Sequence, residues 1–168
     1  MDFTSSSLAP SGHASIIKFE GGVKTGILGR ISPSPLSEWH AFGIISDGKS
    51  EHMMLAGAVG DFTKSLVSNP PSHLWVRQVH FAGLPYLTNM YDRVLLVATG
   101  SGICVFLSFL LQPSRANVCQ MCPQMSVDAA KTFGAEVVIV TSNPEGSRDV
   151  VNKCKASGMA AFGPIWDS

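Results

Sequence analysis

The chain has 168 residues, 45% of them hydrophobic and only 14% charged, with 12 basic and 12 acidic side chains in balance. That length fits one ordinary domain or two small ones, and so low a charged content argues against disorder and for a large buried fraction. A net charge of zero, with no basic block, gives nucleic acid no electrostatic reason to bind.

The N-terminus, MDFTSSSLAPSGH, has no basic segment followed by an apolar run, so it is not a secretory signal. Residues 1–13 read as a flexible polar lead-in. A cytoplasmic location is expected, with Cys104, Cys119, Cys122 and Cys154 reduced. Cys119-Gln-Met-Cys122 is a CxxC pair. No second pair follows to complete a zinc site, and Pro123 stands where a redox pair would open a helix. The pair reads as incidental thiols, and no metal site is expected.

The first two thirds read as β structure. SIIKF (15–19), VKTGILGRI (23–31), EWHAFGIIS (38–46), EHMMLAGAV (51–59) and HLWVRQVHF (73–81) are short apolar or alternating runs separated by glycine and proline. One helix interrupts them at 60–71, GDFTKSLVSNPP, with Asp61 or Thr63 as the N-cap candidate and prolines to stop it. Strands at this spacing predict a small antiparallel barrel or sandwich.

The last third has another rhythm. VLLVAT (94–99) is an apolar strand, GSG a turn, and ICVFLSFLLQ (103–112) an apolar helix ended by Pro113. SVDAAKTFG (126–134) is a short helix, EVVIVTS (136–142) a second buried strand, and EGSRDVVNKCKASG (145–158) an amphipathic helix. Apolar strands alternating with helices predict a parallel sheet covered on both faces. A boundary near Tyr91 divides an all-β unit, 14–91, from an α/β unit, 92–168. The fold class is therefore α+β in two parts.

The run from 94 to 111 carries no charge and is long enough to cross a membrane. Gly100 and Gly102 break it, however, and a second strand–turn–helix follows that needs a sheet partner. A strand feeding a G-x-G turn into a helix is a phosphate-binding arrangement, because the turn admits the ligand and the helix start offers free N–H groups. Thr99, Gly100, Ser101 and Gly102 form that turn. Val105 stands at the third glycine position, and no acid follows about twenty residues later to hold a ribose.

In chain order, His40-Ala41-Phe42-Gly43, Gly60-Asp61-Phe62-Thr63, FAGLPYL (81–87), Gly100-Ser101-Gly102-Ile103 and Thr141-Ser142-Asn143-Pro144 make residues 14–168 resemble the ferredoxin reductase-like flavoproteins. The nearest branch is the ferric reductase and NADPH oxidase type, with a likeness to the C-terminal portion of a fungal and plant group of large proteins. The resemblance implies an FAD-binding antiparallel β-barrel and an NAD(P)H-binding α/β unit, with hydride passing where they meet. It implies His40 and Phe42 beside the flavin, where the family has His-Pro-Phe-Thr and this chain has lost the proline and the hydroxyl. It implies Gly60 and Thr63 under the FAD pyrophosphate, with Asp61 better suited to capping. FAGLPYL falls at the family's Gly-Pro-Tyr/Phe-Gly turn, and Ser142 and Pro144 at its Cys-Gly-Pro, near the nicotinamide. Phe162 or Trp166 would cover the flavin face.

Residues 93–168 leave room for only three or four strands, so the nucleotide unit reads as incomplete, with the gap at 118–125. Three functions stay open. The chain is an FAD-dependent oxidoreductase module that passes electrons from NAD(P)H to an unidentified acceptor and needs no catalytic acid or base. Alternatively, it is a non-catalytic remnant or interaction protein of the same fold. The third alternative is a membrane-attached protein that uses 94–111.

Overall fold

A computed structural model describes residues 6–77, 81–112, 117–121 and 126–164. Its first unit is a curled antiparallel half-barrel of seven strands. β1 (Ser6–Ser11), β2 (Ala14–Glu20), β3 (Ile27–Ser32), β4 (His40–Ser46) and β5 (Glu51–Gly57) carry it, with the short β6 (Trp75–Val76) and β7 (Phe81–Ala82). The order is β1-β2-β5-β4-β3-β6, and β7 also pairs with β3.

Two expectations change here. Part of the lead-in, 6–11, is a strand and not a loose segment, because Gly12-His13 turn the chain back and Ser11 pairs with Ala14. The single strand expected over 73–81 is two short pieces that meet opposite ends of β3, β6 at Ile31 and Ser32 and β7 at Ile27 and Leu28. Residues 78–80 of that stretch lie outside the described residues.

Alternation along β2 points Ile17 and Phe19 inward, where they join Ile31, Ile44, Met54 and Ala56 in the half-barrel core. Helix α1 (Asp61–Ser68) closes this core with the fully buried Leu66.

The second unit is a parallel sheet in the order β11-β10-β8-β9, made of β8 (Arg93–Ala98), β9 (Asn117–Met121), β10 (Val137–Thr141) and β11 (Ala160–Phe162). Leu95, Val97, Val138 and Val140 face helices α3 (Ser126–Phe133) and α4 (Pro144–Ala156). Val94, Leu96, Val137 and Ile139 face the other way, against Phe106 and Phe109. Both faces are buried, which is why β8 and β10 read as unbroken apolar runs.

The run 94–111 therefore resolves into three elements. β8 is followed by a 3-10 helix over Gly100–Phe106 and then by α2 (Leu107–Leu111). Among the described residues no helix is long and apolar enough to cross a membrane. The segment is wedged between the two units: Phe106 and Phe109 pack on the parallel sheet, while Val105 and Ser108 meet β4, and Leu110 and Leu111 stay exposed.

Gly43 of β4 shows how close that wedge comes. A Cβ added there would lie 2.6 Å from Val105 Cγ1 and 2.8 Å from Val105 Cα. The hydroxyl residue that the resembling family carries at this position has no room in this chain. Gly43→Thr should therefore destabilise the protein by about 1–3 kcal/mol, as overpacking does. Urea unfolding measures it, and a variant as stable as wild type would mean that the two units are not in contact at Gly43.

Candidate functional site

Two clefts adjoin each other, one on the half-barrel and one at the seam between the units. The first, of about 840 Å³, lies between the start of β4 and the N-terminus of α1, and Trp39, His40, Phe42, Gly57, Phe62 and Thr63 are among its lining residues. The His40 ring stacks on Phe62, with centroids 4.3 Å apart and planes 9° from parallel. Trp39 in turn carries the Arg77 guanidinium 4.7 Å from its ring centroid.

The α1 start differs from expectation. Gly60 is the N-cap, so Asp61 is the first helical residue and makes no capping bond. The Thr63 hydroxyl is already engaged: it donates to Gly60 O at 3.0 Å and accepts the N–H groups of Gly60 and Val59 at 3.0 and 3.1 Å. This reach back from the third helical position is one half of a capping box, so the hydroxyl is not free to serve a pyrophosphate. The free donors are the N–H groups of Asp61, Phe62 and Thr63, because the first intrahelical bond runs from Lys64 N–H to Gly60 O. A Cβ on Gly60 would meet nothing within 4 Å.

The second cleft, of about 570 Å³, lies where the β8 turn meets the β10 turn. It is lined by Thr99, Gly100, Gly102, Cys104 and Val105 from one and Thr141, Ser142, Asn143 and Pro144 from the other, opposite Phe42 and Gly43. No charged side chain lines it among the described residues. Burial pushes the Cys104 thiol up to about 11, so it stays protonated and unreactive at neutral pH. The two turns are tied together. Thr99 N–H donates to Thr141 O at 3.1 Å, and the Thr99 and Ser142 hydroxyls are 2.5 Å apart. Asn143 caps α4 by accepting Gly146 N–H at 2.7 Å, Pro144 takes the first helical position, and the Ser147 hydroxyl bonds both backbone groups of Ser142.

The two glycines of the turn have different reasons to be glycine. Gly100 has φ +53°, and a Cβ there meets only open space. Gly102 is fixed by packing, since its Cβ would stand 2.6 Å from Thr141 O. The close approach at Gly102 is thus to the neighbouring strand end and not to a ligand. Ser101 lies between them in the turn.

Ala41, Phe42, Gly57 and Val59 line both clefts, which therefore meet at one place. Phe162, at the end of β11 and 40% exposed, lines neither. Trp166 lies outside the described residues. Sequence reading missed Gly57 and Val59. Val59 is 80% exposed, and only its position after β5 hinted at a cleft.

A family model described as the C-terminal domain of adenylate-forming reductase 03009 matches residues 84–122 and 114–168. The chain belongs to this family. Adenylate-forming reductase 06235 of Coprinopsis cinerea is 32% identical over 197 residues, taking in 94% of this chain and 19% of the relative. Adenylate-forming reductase 03009 of the same fungus is 32% identical over 176 residues, with 83% of this chain and 17% of the relative. The chain thus spans under a fifth of the length of these curated relatives. Both aligned stretches are longer than the chain's own 168 residues, so the relatives carry residues that this reductase-family chain lacks. The two family-model matches meet at 114–122, which holds β9, the edge of the parallel sheet.

Among solved structures, the ferredoxin reductase of carbazole 1,9a-dioxygenase in its FAD apo form is similar with a TM-score of 0.60 and 11% identity, covering 96% of this chain and 65% of the other. An intact type IV self-sufficient cytochrome P450 monooxygenase is similar with a TM-score of 0.50 and 11% identity, covering 99% and 22%. The fold is ferredoxin reductase-like.

The glycine geometry sets an order of cost. Gly102→Ala drives a methyl into a backbone carbonyl and should cost about 3 kcal/mol. Gly100→Ala adds only left-handed strain, about 1–2 kcal/mol. Thermal melting of both variants reads the difference, and a larger loss at Gly100 would contradict the packing of Gly102 on Thr141.

Proposed function

We infer that this chain is a flavin-dependent electron-transfer module, with FAD in the cleft at α1 and NAD(P)H in the cleft at the glycine turn. The observation that carries this reading is the shared lining, Ala41, Phe42, Gly57 and Val59, which would bring two separately bound nucleotides into contact. The names of its neighbours, a ferredoxin reductase and a self-sufficient P450, agree with it.

The residues present fit both groups. The open space at Gly60 and the unpaired N–H groups at the start of α1 suit a pyrophosphate, and the positive end of the helix dipole adds to them. The open, left-handed Gly100 gives a second phosphate room at the N-terminus of the following 3-10 helix. When bound, the nicotinamide and flavin rings supply a hydride donor and its acceptor. The chain contributes position. Phe42 and Val59 form an apolar wall between the clefts, and the Thr99–Ser142 hydroxyl pair holds the two turns together beneath the second one. His40 supports the first cleft through its stack on Phe62 and moves no proton in this scheme.

A second reading, a remnant that keeps the fold without turnover, is favoured by one observation: the relatives carry residues that this chain lacks, and the family matches break at the sheet edge.

Adding FAD to the purified protein, and then NADH or NADPH without oxygen, separates the two readings. The oxidoreductase reading predicts a yellow protein whose visible absorbance bleaches with either nicotinamide. Protein that stays colourless with FAD would remove the flavin assignment. Bound flavin that never bleaches would leave the remnant.

A further inference from the structure

β4 has a strand neighbour on each side for only part of its length. From His40 to Gly43 it pairs with β3, and from Ile44 to Ser46 with β5. Backbone groups alternate sides along a strand, so Ile44 and Ser46 direct theirs away from β5, toward the side that β3 has left. Ser108 fills that side. Its Oγ accepts Ser46 N–H at 3.0 Å and donates to Ile44 O at 2.7 Å. One turn later Gln112 Nε2 donates to Ser46 O at 2.7 Å and to Val23 O at 2.8 Å. Ser108 is fully buried, and Ser46 is 2% exposed.

Two side chains thus do the work of a missing strand. Two residues of strand advance about 6.6 Å and four residues of helix about 6.0 Å, so Ser108 and Gln112 match successive open groups of β4. Ser46 is held in place by its own hydroxyl, which donates to Glu51 O at 2.9 Å and accepts Val23 and Gly48 N–H at 3.0 Å each. The helical segment that carries Ser108 begins at the glycine turn of the second cleft. The strand that carries Ser46 begins at His40 and Phe42 of the first. Neither Ser108 nor Gln112 lines either cleft.

We propose that Ser108 and Gln112 are positioning residues that set the gap between the two nucleotide clefts by completing the open edge of β4. The proposal rests on the two-nucleotide reading above. Ser108→Ala removes both hydroxyl bonds while leaving the backbone unchanged. Gln112→Leu keeps the bulk and removes the amide, at a partly buried site where folding is less at risk.

Three quantities are read on the full chain: hydrogen exchange at the Ser46 amide, FAD affinity, and the rate of flavin reduction at saturating NADH. In Ser108→Ala, Ser46 exchange should rise about tenfold or more as the edge opens locally. FAD affinity should stay within about twofold, and the maximal reduction rate should fall about tenfold with the half-saturating NADH concentration unchanged, the signature of lost alignment and not of lost binding. Gln112→Leu should lower the reduction rate in the same way, by about threefold. Faster Ser46 exchange with an unchanged reduction rate would overturn the proposal, and so would unchanged Ser46 exchange in Ser108→Ala. Wild-type protein that takes up no FAD would overturn the two-nucleotide reading and the positioning role with it, and the first titration shows this before any variant is compared.

Discussion

The second half of β4 outruns β3, so the backbone groups of Ile44 and Ser46 would be buried without partners unless something else reached them. An unmet buried backbone group costs about 1–3 kcal/mol, a large share of a domain's net stability of about 5–15 kcal/mol. Ser108 and Gln112 meet these groups from the α2 segment, and everything else at the seam follows. With α2 fixed against β4, Val105 comes down on Gly43, and the glycine turn hangs over Phe42. The same segment presents Phe106 and Phe109 to the parallel sheet, so one short helical stretch serves as edge strand for the first unit and as cover for the second.

This dual role explains part of the composition of the stretch that looked most like a membrane span. Phe106 and Phe109 are buried on the parallel sheet, and the polar Ser108 and the C-cap Gln112 are spent on the backbone of β4. Leu110 and Leu111 stay exposed, and packing within the chain does not account for them. The glycines divide the remaining work. Gly102 lets the turn rest on Thr141, Gly43 lets the helix approach β4, and Gly100 faces open space. What lines the second cleft is therefore mostly backbone and small side chains. The first cleft offers the start of α1 and the stacked pair His40 and Phe62.

Much of the fold was legible because it is written in local pattern. β8 and β10 are apolar over Val94–Ala98 and Val137–Val140, since both faces of a parallel sheet are covered, and the turn–helix signals at 100–102 and 143–146 follow them closely. The order of the short motifs carried the family. What the sequence hid depends on contacts far apart in the chain. Ser108 looks like a stray hydroxyl in an apolar run until Ile44 is seen 64 positions away. Gly102 matches a phosphate-loop glycine in sequence, and only the position of Thr141 shows that its missing Cβ makes room for protein. Thr63 likewise looks like a ligand donor until its bonds to Val59 and Gly60 are counted. Ser6–Ser11 lacks apolar alternation and becomes a strand only because β2 presents an edge to it. The shortening, by contrast, was legible: the gap expected at 118–125 falls where the two family matches meet, over β9 at the sheet edge.

If the β4 edge joins the half-barrel to the parallel sheet, neither unit is stable without the other and they unfold together. Native-state hydrogen exchange in rising denaturant tests this directly, by comparing the amides of Ile17 and Met54 in the half-barrel with those of Leu95 and Val138 in the parallel sheet. One shared opening free energy and one slope across all four is the expected result. A lower free energy for one pair, with its own slope, would show the units opening independently and would contradict the account.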